Sequence, residues 1–405
     1  MLRFHTFTQR NPKMHIRHQF LERIAQTSDI SQQFEVSSAN GCYLETKSGD
    51  KFLDLLSGFG VNNIGHGVTP VIDAIHKQSN AYLHTNVYGE HIQSPQIQFA
   101  ELLISLLPGP LNACYFLNSG SECVDAAIKL GRLATGRTEI IVCSQAYHGS
   151  TLGAESLRSD ANHKMGFLPL IPAIRFIRFN EEADLEQITS QTALVITEVI
   201  QSEAGVKMAT PDYWKKLRKT CDDQHCLLAV DEIQTGMGRT GTLFAFQAYE
   251  FIPDMLLCGK ALGAGMPLSA LICNQKLIQH FSKKIPLGYI TTFGGHPVCC
   301  AAGLAGLNYL LQHNILDSVN EKEQLFRQAL NAQASNELRG IGLLLAFELG
   351  STSKLMKAIQ KLFDLKILAE SFLFCPTALR IAPPLVIELN EINRVCDHIK
   401  EACNF

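Results

Sequence analysis

Six short apolar runs recur between residues 113 and 273, each followed by a loop of small or polar residues, with helical patterns between. They cover residues 113–117, 140–143, 193–197, 227–230, 255–258 and 268–273. Runs this short, bounded by turn residues, read as buried strands. Their alternation with helical segments predicts an α/β fold with a mostly parallel central sheet. A chain of 405 residues also exceeds the roughly 250–300 residues at which one core stops growing. Past residue 300 the rhythm changes to a long helix, about 297–312, and then a smaller α+β pattern ending in Leu379-Arg380-Ile381-Ala382-Pro383-Pro384. We therefore expect a large domain over residues 61–300 and a small domain built from both chain ends. Residues 1–60 would give its arm and first part, and residues 301–405 the rest.

Charged residues make up 18% of the chain, against a usual value of about 25%, which predicts a large covered surface and so a subunit interface. A net charge of −3 leaves no electrostatic footprint for nucleic acid or an anionic membrane, so a small-molecule ligand is expected. The 13 cysteines are scattered without paired CxxC spacing, which fits reduced thiols in a cytoplasmic protein. Cys221 to Cys226, with His225 between, lies at the end of a helical pattern and reads as packing rather than a zinc site. Residues 255–275 contain Lys260 and several glycines, so they form no membrane span. The first twenty residues carry Arg3, Arg10, Lys13 and Arg17 without an apolar core, which reads as a basic arm.

Ligands of open α/β sheets bind beyond the carboxyl ends of the strands. Lys260 stands there, flanked by Gly259, Ala261, Leu262 and Gly263. Such surroundings give either a desolvated amine able to attack a carbonyl or a lysine that snorkels to the surface. Asp231 directly follows the run 227–230, where a buried acid needs a cation or a capping role; a protonated pyridine nitrogen and Arg239 are both available readings. Asn118-Ser119-Gly120-Ser121 opens a helix over about 122–135, which suits either a phosphate or a plain N-cap. Tyr147-His148-Gly149 offers an aromatic face. Gly236-Met237-Gly238-Arg239-Thr240-Gly241 matches GxGxxG but neither leaves a strand directly nor opens a helix, and is expected to be a glycine-rich surface loop.

Taken together these motifs resemble the class III pyridoxal-phosphate aminotransferases of fold type I. Gln201-Ser202-Glu203-Ala204-Gly205, Thr291-Thr292-Phe293-Gly294-Gly295-His296-Pro297 and the Arg380 segment extend the likeness over nearly the whole chain. The resemblance implies pyridoxal 5'-phosphate joined to Lys260 as a Schiff base, Asp231 on the pyridine nitrogen, Tyr147 stacked on the ring and Gln234 on its 3′-oxygen. His148 and Ser119 would belong to the same cofactor site. Gly120 and Ser121 would hold the phosphate from one subunit and Thr292 from the other, so a homodimer is implied. Arg380 would take a substrate α-carboxylate, Glu203 would swing to or from an arginine, and Phe59 would border the substrate. Two departures bear on specificity. Ser150 stands where ornithine and acetylornithine enzymes usually carry an arginine for the distal carboxylate, which leaves that contact and Glu203's partner open. Phe59 stands where ornithine aminotransferase has a tyrosine. The expected reaction is ping-pong transfer of an amino group, an ω-amine of an amino acid, to a 2-oxo acid such as 2-oxoglutarate. Lys260 would act as nucleophile and as general acid and base. The same scaffold also hosts aminomutases, decarboxylating transaminases and racemases.

Overall fold

A computed structural model describes residues 16–28, 34–330 and 337–403; Arg3, Arg10 and Lys13 of the basic arm lie outside the described residues. Seven strands form the large sheet, in the spatial order Ala113–Leu117, Ser269–Cys273, Met255–Cys258, Leu227–Asp231, Thr192–Glu198, Glu139–Cys143 and Ile174–Ile177. Neighbours from Met255–Cys258 to Ile174–Ile177 pair in parallel. Ser269–Cys273 runs antiparallel to both its neighbours, so the sheet is mostly parallel, as the apolar runs predict. Strands Thr192–Glu198, Met255–Cys258 and Ser269–Cys273 are buried at every position, which is why they read as unbroken apolar runs rather than alternating ones.

The seventh strand, Ile174–Ile177, has no continuous apolar run. It lies at the sheet edge, where Arg175 extends its head to Glu139 Oε2 at 3.2 Å. Helix Gly120–Thr135 packs across the sheet, close enough that a Cβ on Gly131 would lie 3.0 Å from Leu194 Cδ2. It is capped by Ser119, whose side chain accepts from Glu122 N, and ends at Gly136 with φ 71°.

The chain ends meet in one small sheet: Val36–Asn40, Tyr43–Thr46 and Lys51–Asp54 are joined by Ile367–Leu368, parallel to Lys51–Asp54. Leu338–Ile341, Leu344–Glu348 and Ala378–Ile381 form a separate antiparallel sheet that ends in the strand bearing Arg380. Helices Val319–Leu330 and Thr352–Asp364 both pack on Leu389–Cys403.

The expected surface loop at 236–241 is instead buried from Gly236 to Thr240. Arg239 is its centre, 1% exposed. Nη1 donates to the carbonyls of Leu343 (2.8 Å) and Pro383 (2.6 Å), and Nη2 to Ser57 Oγ (2.7 Å) and Asn63 Oδ1 (2.6 Å). One guanidinium thus pins the 57–63 segment and the C-terminal third to the large sheet, and these neutral acceptors make its burial tolerable. Burial still pulls its pKa down to about 9, against the opposing charge of Asp54. Among the described residues no helix is long and apolar enough to cross a membrane.

Candidate active site

At the carboxyl ends of the large-sheet strands, a pocket of about 180 Å³ is lined by Gly120, Ser121, Tyr147, His148, Gly149, Glu198, Ser202, Asp231, Ile233, Gln234, Thr235 and Lys260. Lys260 follows strand Met255–Cys258 with φ 48°, a strained backbone for a residue with a side chain, and its Nζ donates to Gln234 Oε1 at 2.9 Å. Asp231, the last residue of Leu227–Asp231, has both oxygens engaged: Oδ1 accepts from Ile233 N (3.0 Å), and Oδ2 lies 2.7 Å from His148 Nδ1. Helix Gly120–Thr135 points its N-terminus at the pocket. Glu122 N–H goes to Ser119 Oγ and Cys123 N–H to Ser119 O, so the Gly120 and Ser121 N–H groups stay at the pocket wall.

A second cluster borders the first. Arg380, 1% exposed, donates from Nη2 to Glu203 Oε2 at 2.6 Å, and Leu373 N donates to the same oxygen at 3.0 Å. The guanidinium lies 4.4 Å from the Phe372 ring centre and 5.0 Å from that of Phe59. Phe59 is 44% exposed and belongs to a left-handed run, Ser57 to Gly60. A Cβ on Gly60 would sit 3.7 Å from Gln234 Cγ and 4.0 Å from Lys260 Cδ, so this run forms a wall against the lysine.

Burial lowers the Lys260 amine to about 8, opposed by Glu203 and reinforced by Arg380. Burial disfavours ionised Glu203, but the charge and hydrogen bond of Arg380 outweigh it and hold the carboxyl below its ordinary range. Burial also works against charged His148, and its bond to Asp231 more than offsets this, raising the imidazole. Glu198 is pushed up to about 7 by burial, His148 lowering it and Asp231 raising it. A lysine amine partly neutral near pH 8, beside an arginine and a buried acid, suits nucleophilic and proton-transfer work.

Of the residues singled out in the sequence, Lys260, Asp231, Gln234, Tyr147, His148, Gly120 and Ser121 share the pocket; Ser119 caps the helix beside it. Arg380, Glu203 and Phe59 form the adjoining cluster, and Glu203's partner is Arg380. Thr292 is exposed and outside the pocket, although its neighbour Thr291 accepts from Asn118 Nδ2 at 3.2 Å. Ser150 is exposed, with Oγ 3.4 Å from Tyr147 Oη. Glu198 and Ile233 also line the pocket, although neither the motifs nor the resemblance assigns them a role. Glu198 carries the signal that marks Asp231, an acid closing an apolar run.

The chemistry of the pocket fits pyridoxal phosphate. Gly149, at φ 125°, could not carry a Cβ, which would fall 2.0 Å from Ser121 Oγ, so backbone and hydroxyl close on the helix N-terminus as a phosphate cradle does. His148 Nε2 and Ser202 Oγ are buried without a partner in the protein, as polar groups facing a ligand site can be.

The family model described as aminotransferase class-III matches residues 24–403. An acetylornithine aminotransferase of Halalkalibacterium halodurans is 37% identical over 373 residues, 90% of this chain and 94% of that protein. One of Methanocaldococcus jannaschii is 36% identical over 369 residues, 87% and 89% of the two. The solved ornithine aminotransferase of Toxoplasma gondii, whose description records partial occupancy of PLP, superposes with a TM-score of 0.88 at 26% identity, over 95% of this chain and 92% of that one. A transaminase from a marine Virgibacillus gives a TM-score of 0.89 over 96% and 98% of the chains at 22% identity, a likeness of fold alone. The chain therefore belongs to the class III aminotransferases, pyridoxal-phosphate-dependent enzymes of fold type I.

Proposed function

We propose that this aminotransferase moves the ω-amino group of an amino acid, of the acetylornithine, ornithine or 4-aminobutyrate kind, to 2-oxoglutarate. The observation that carries the reading is the buried ion pair between Arg380 and Glu203 at 2.6 Å. With Glu203 in place, the arginine beside Lys260 is masked, so a donor whose reacting carbon bears no carboxylate is accepted amine-first. A 2-oxo acid carries its carboxylate next to the reacting carbon and must draw Arg380 away from Glu203, gaining a two-pronged contact. One arginine thereby serves both halves of a ping-pong exchange. Relatives named acetylornithine aminotransferase support acetylornithine as the first donor to test. Phe59, in place of a tyrosine, speaks against ornithine.

Bound pyridoxal phosphate supplies an electron sink for the carbon that loses its proton. In our reading Lys260 Nζ would hold the cofactor and, as a free amine, would take up and return the proton at the reacting carbon. Asp231, held by His148 and Ile233 N, would keep the pyridine nitrogen protonated. Gln234 would hold the ring oxygen, and Tyr147 and Ile233 would flank the ring. Ser119, Gly120 and Ser121 would take the phosphate, with Thr292 reaching it from a second copy. Thr292 is exposed, as are Leu83, Ile290 and Phe293 near it. Their segments are tied together by the His84–Phe293 ring contact (5.1 Å) and by Tyr88 N donating to Thr291 O (3.2 Å). We assign these to the face of a homodimer, the large domain to residues 61–300, the small domain to both chain ends, and the enzyme to the cytoplasm.

The test is a panel of donors (acetylornithine, ornithine, 4-aminobutyrate, lysine and simple ω-amines) against 2-oxoglutarate and pyruvate. Glutamate formed in step with ω-amine consumption supports the reading. Turnover that consumes no oxo acid contradicts it.

A further inference from the structure

Glu198 ends strand Thr192–Glu198 and touches neither the Lys260 amine nor Arg380 through any hydrogen bond. Its two oxygens do something else. Oε1 accepts from Tyr147 N at 3.0 Å, and Oε2 accepts from Ser202 N at 3.0 Å. Tyr147 is a pocket wall, and Ser202 precedes the acid that masks Arg380. The next segment continues the chain of contacts, since Phe374 N donates to Glu203 O at 2.9 Å.

We propose that Glu198 is a positioning residue of the transamination site, a single carboxylate that fixes the Tyr147 wall to the Glu203 segment and so sets the spacing between cofactor ring and Arg380 gate. This inference rests on the function proposed above. The clamp is strongest when Glu198 is ionised. With both oxygens accepting from N–H groups, a proton on either weakens that oxygen as an acceptor and adds a donor that neither N–H can satisfy.

The groups facing Glu198 are His148, Asp231, Lys260 and the Cys143 thiol. Burial raises its pKa to about 7, with His148 opposing and Asp231 adding to the rise, so the carboxyl is protonated below about pH 7 and the clamp is made above it. The acid side of the rate profile should therefore carry a lower step near pH 7, set by Glu198.

The experiment compares pH profiles of kcat/KM for wild type, Glu198→Gln and Glu198→Asp, with infrared difference spectra of each holoenzyme between about pH 6 and about pH 8. Glu198→Gln keeps the size, loses the charge, and can accept only one of the two N–H groups. It is expected to lose the lower step, to lose one buried carboxylic C=O band, and to fall about tenfold to a hundredfold in kcat/KM above pH 8. Glu232 is also buried with a pKa raised to about 7, so its band should remain in all three proteins. Glu198→Asp should keep a step, displaced by its shorter reach; if the glutamine variant does not fold, this displacement decides. An unchanged lower step in Glu198→Gln, or an undisplaced one in Glu198→Asp, overturns the inference. A Lys260→Ala enzyme at full turnover would sink the functional reading itself, whereas unchanged Glu198 profiles in an enzyme that needs Lys260 sink this inference alone.

Discussion

Replacing Glu203 with glutamine unmasks Arg380 while leaving its surroundings almost unchanged in volume. In the wild type the two meet at 2.6 Å with the arginine 1% and the acid 12% accessible, so their attraction is little screened by water. A carboxylate arriving on a 2-oxo acid must first displace Glu203. An amide keeps a hydrogen bond to the charged guanidinium but removes the opposing charge, which we take to weaken a contact of about 1.5–3 kcal/mol by roughly half. The difference, about 1–1.5 kcal/mol, corresponds to roughly tenfold in affinity on the acid side. The donor side moves the other way, because an unmasked Arg380 captures the donor's carboxylate and turns its ω-amine away from Lys260. Glu203 is also the largest influence raising the Lys260 pKa, so the variant's amine should titrate below about 8. Rapid mixing resolves the two half-reactions, glutamate for one and an ω-amine such as acetylornithine for the other. The expected result is glutamate about tenfold faster in kcat/KM and the ω-amine slower by a similar factor. An unchanged ratio would refute the gate.

Two further substitutions test the cradle and the packing beneath it. Gly149→Ala forces a Cβ to 2.0 Å from Ser121 Oγ at φ 125°, so roughly 1–3 kcal/mol of strain should weaken cofactor binding by about fivefold to a hundredfold in equilibrium dialysis; wild-type affinity would contradict the cradle. Arg239→Met leaves four buried acceptors without their donor and should lower stability by about 3 kcal/mol or more, read as a fall in the urea midpoint at constant slope. An unchanged midpoint would show that the small domain does not depend on this staple.

How much of this was legible in the sequence differs by residue. The central strands announced themselves because burial on both faces leaves only apolar side chains, and their ends bring Asp231, Tyr147 and Lys260 to one pocket. The edge strand Ile174–Ile177 escaped because an edge is half wet, and Arg175 can stand within it by reaching Glu139. The 236–241 segment was misjudged because glycine density resembles a surface loop. Nothing local reveals that Arg239 finds acceptors about 100 to 180 residues away in distant segments. Glu203 was visible as an acid, but its pairing with Arg380, 177 positions away, needed the fold. Glu198 was readable by the rule that found Asp231; its function as a bridge between two backbones was not, since backbone acceptors leave no mark on sequence.

The central claim is that Lys260 carries the cofactor and the proton. Borohydride reduction of the wild-type holoenzyme, followed by peptide mass mapping and compared with Lys260→Ala, tests it most directly. The account predicts cofactor mass on the peptide containing Lys260, none on any peptide of the variant, and turnover lower by at least about 10²–10⁴-fold. Cofactor mass on another lysine, or full turnover without Lys260, would contradict it.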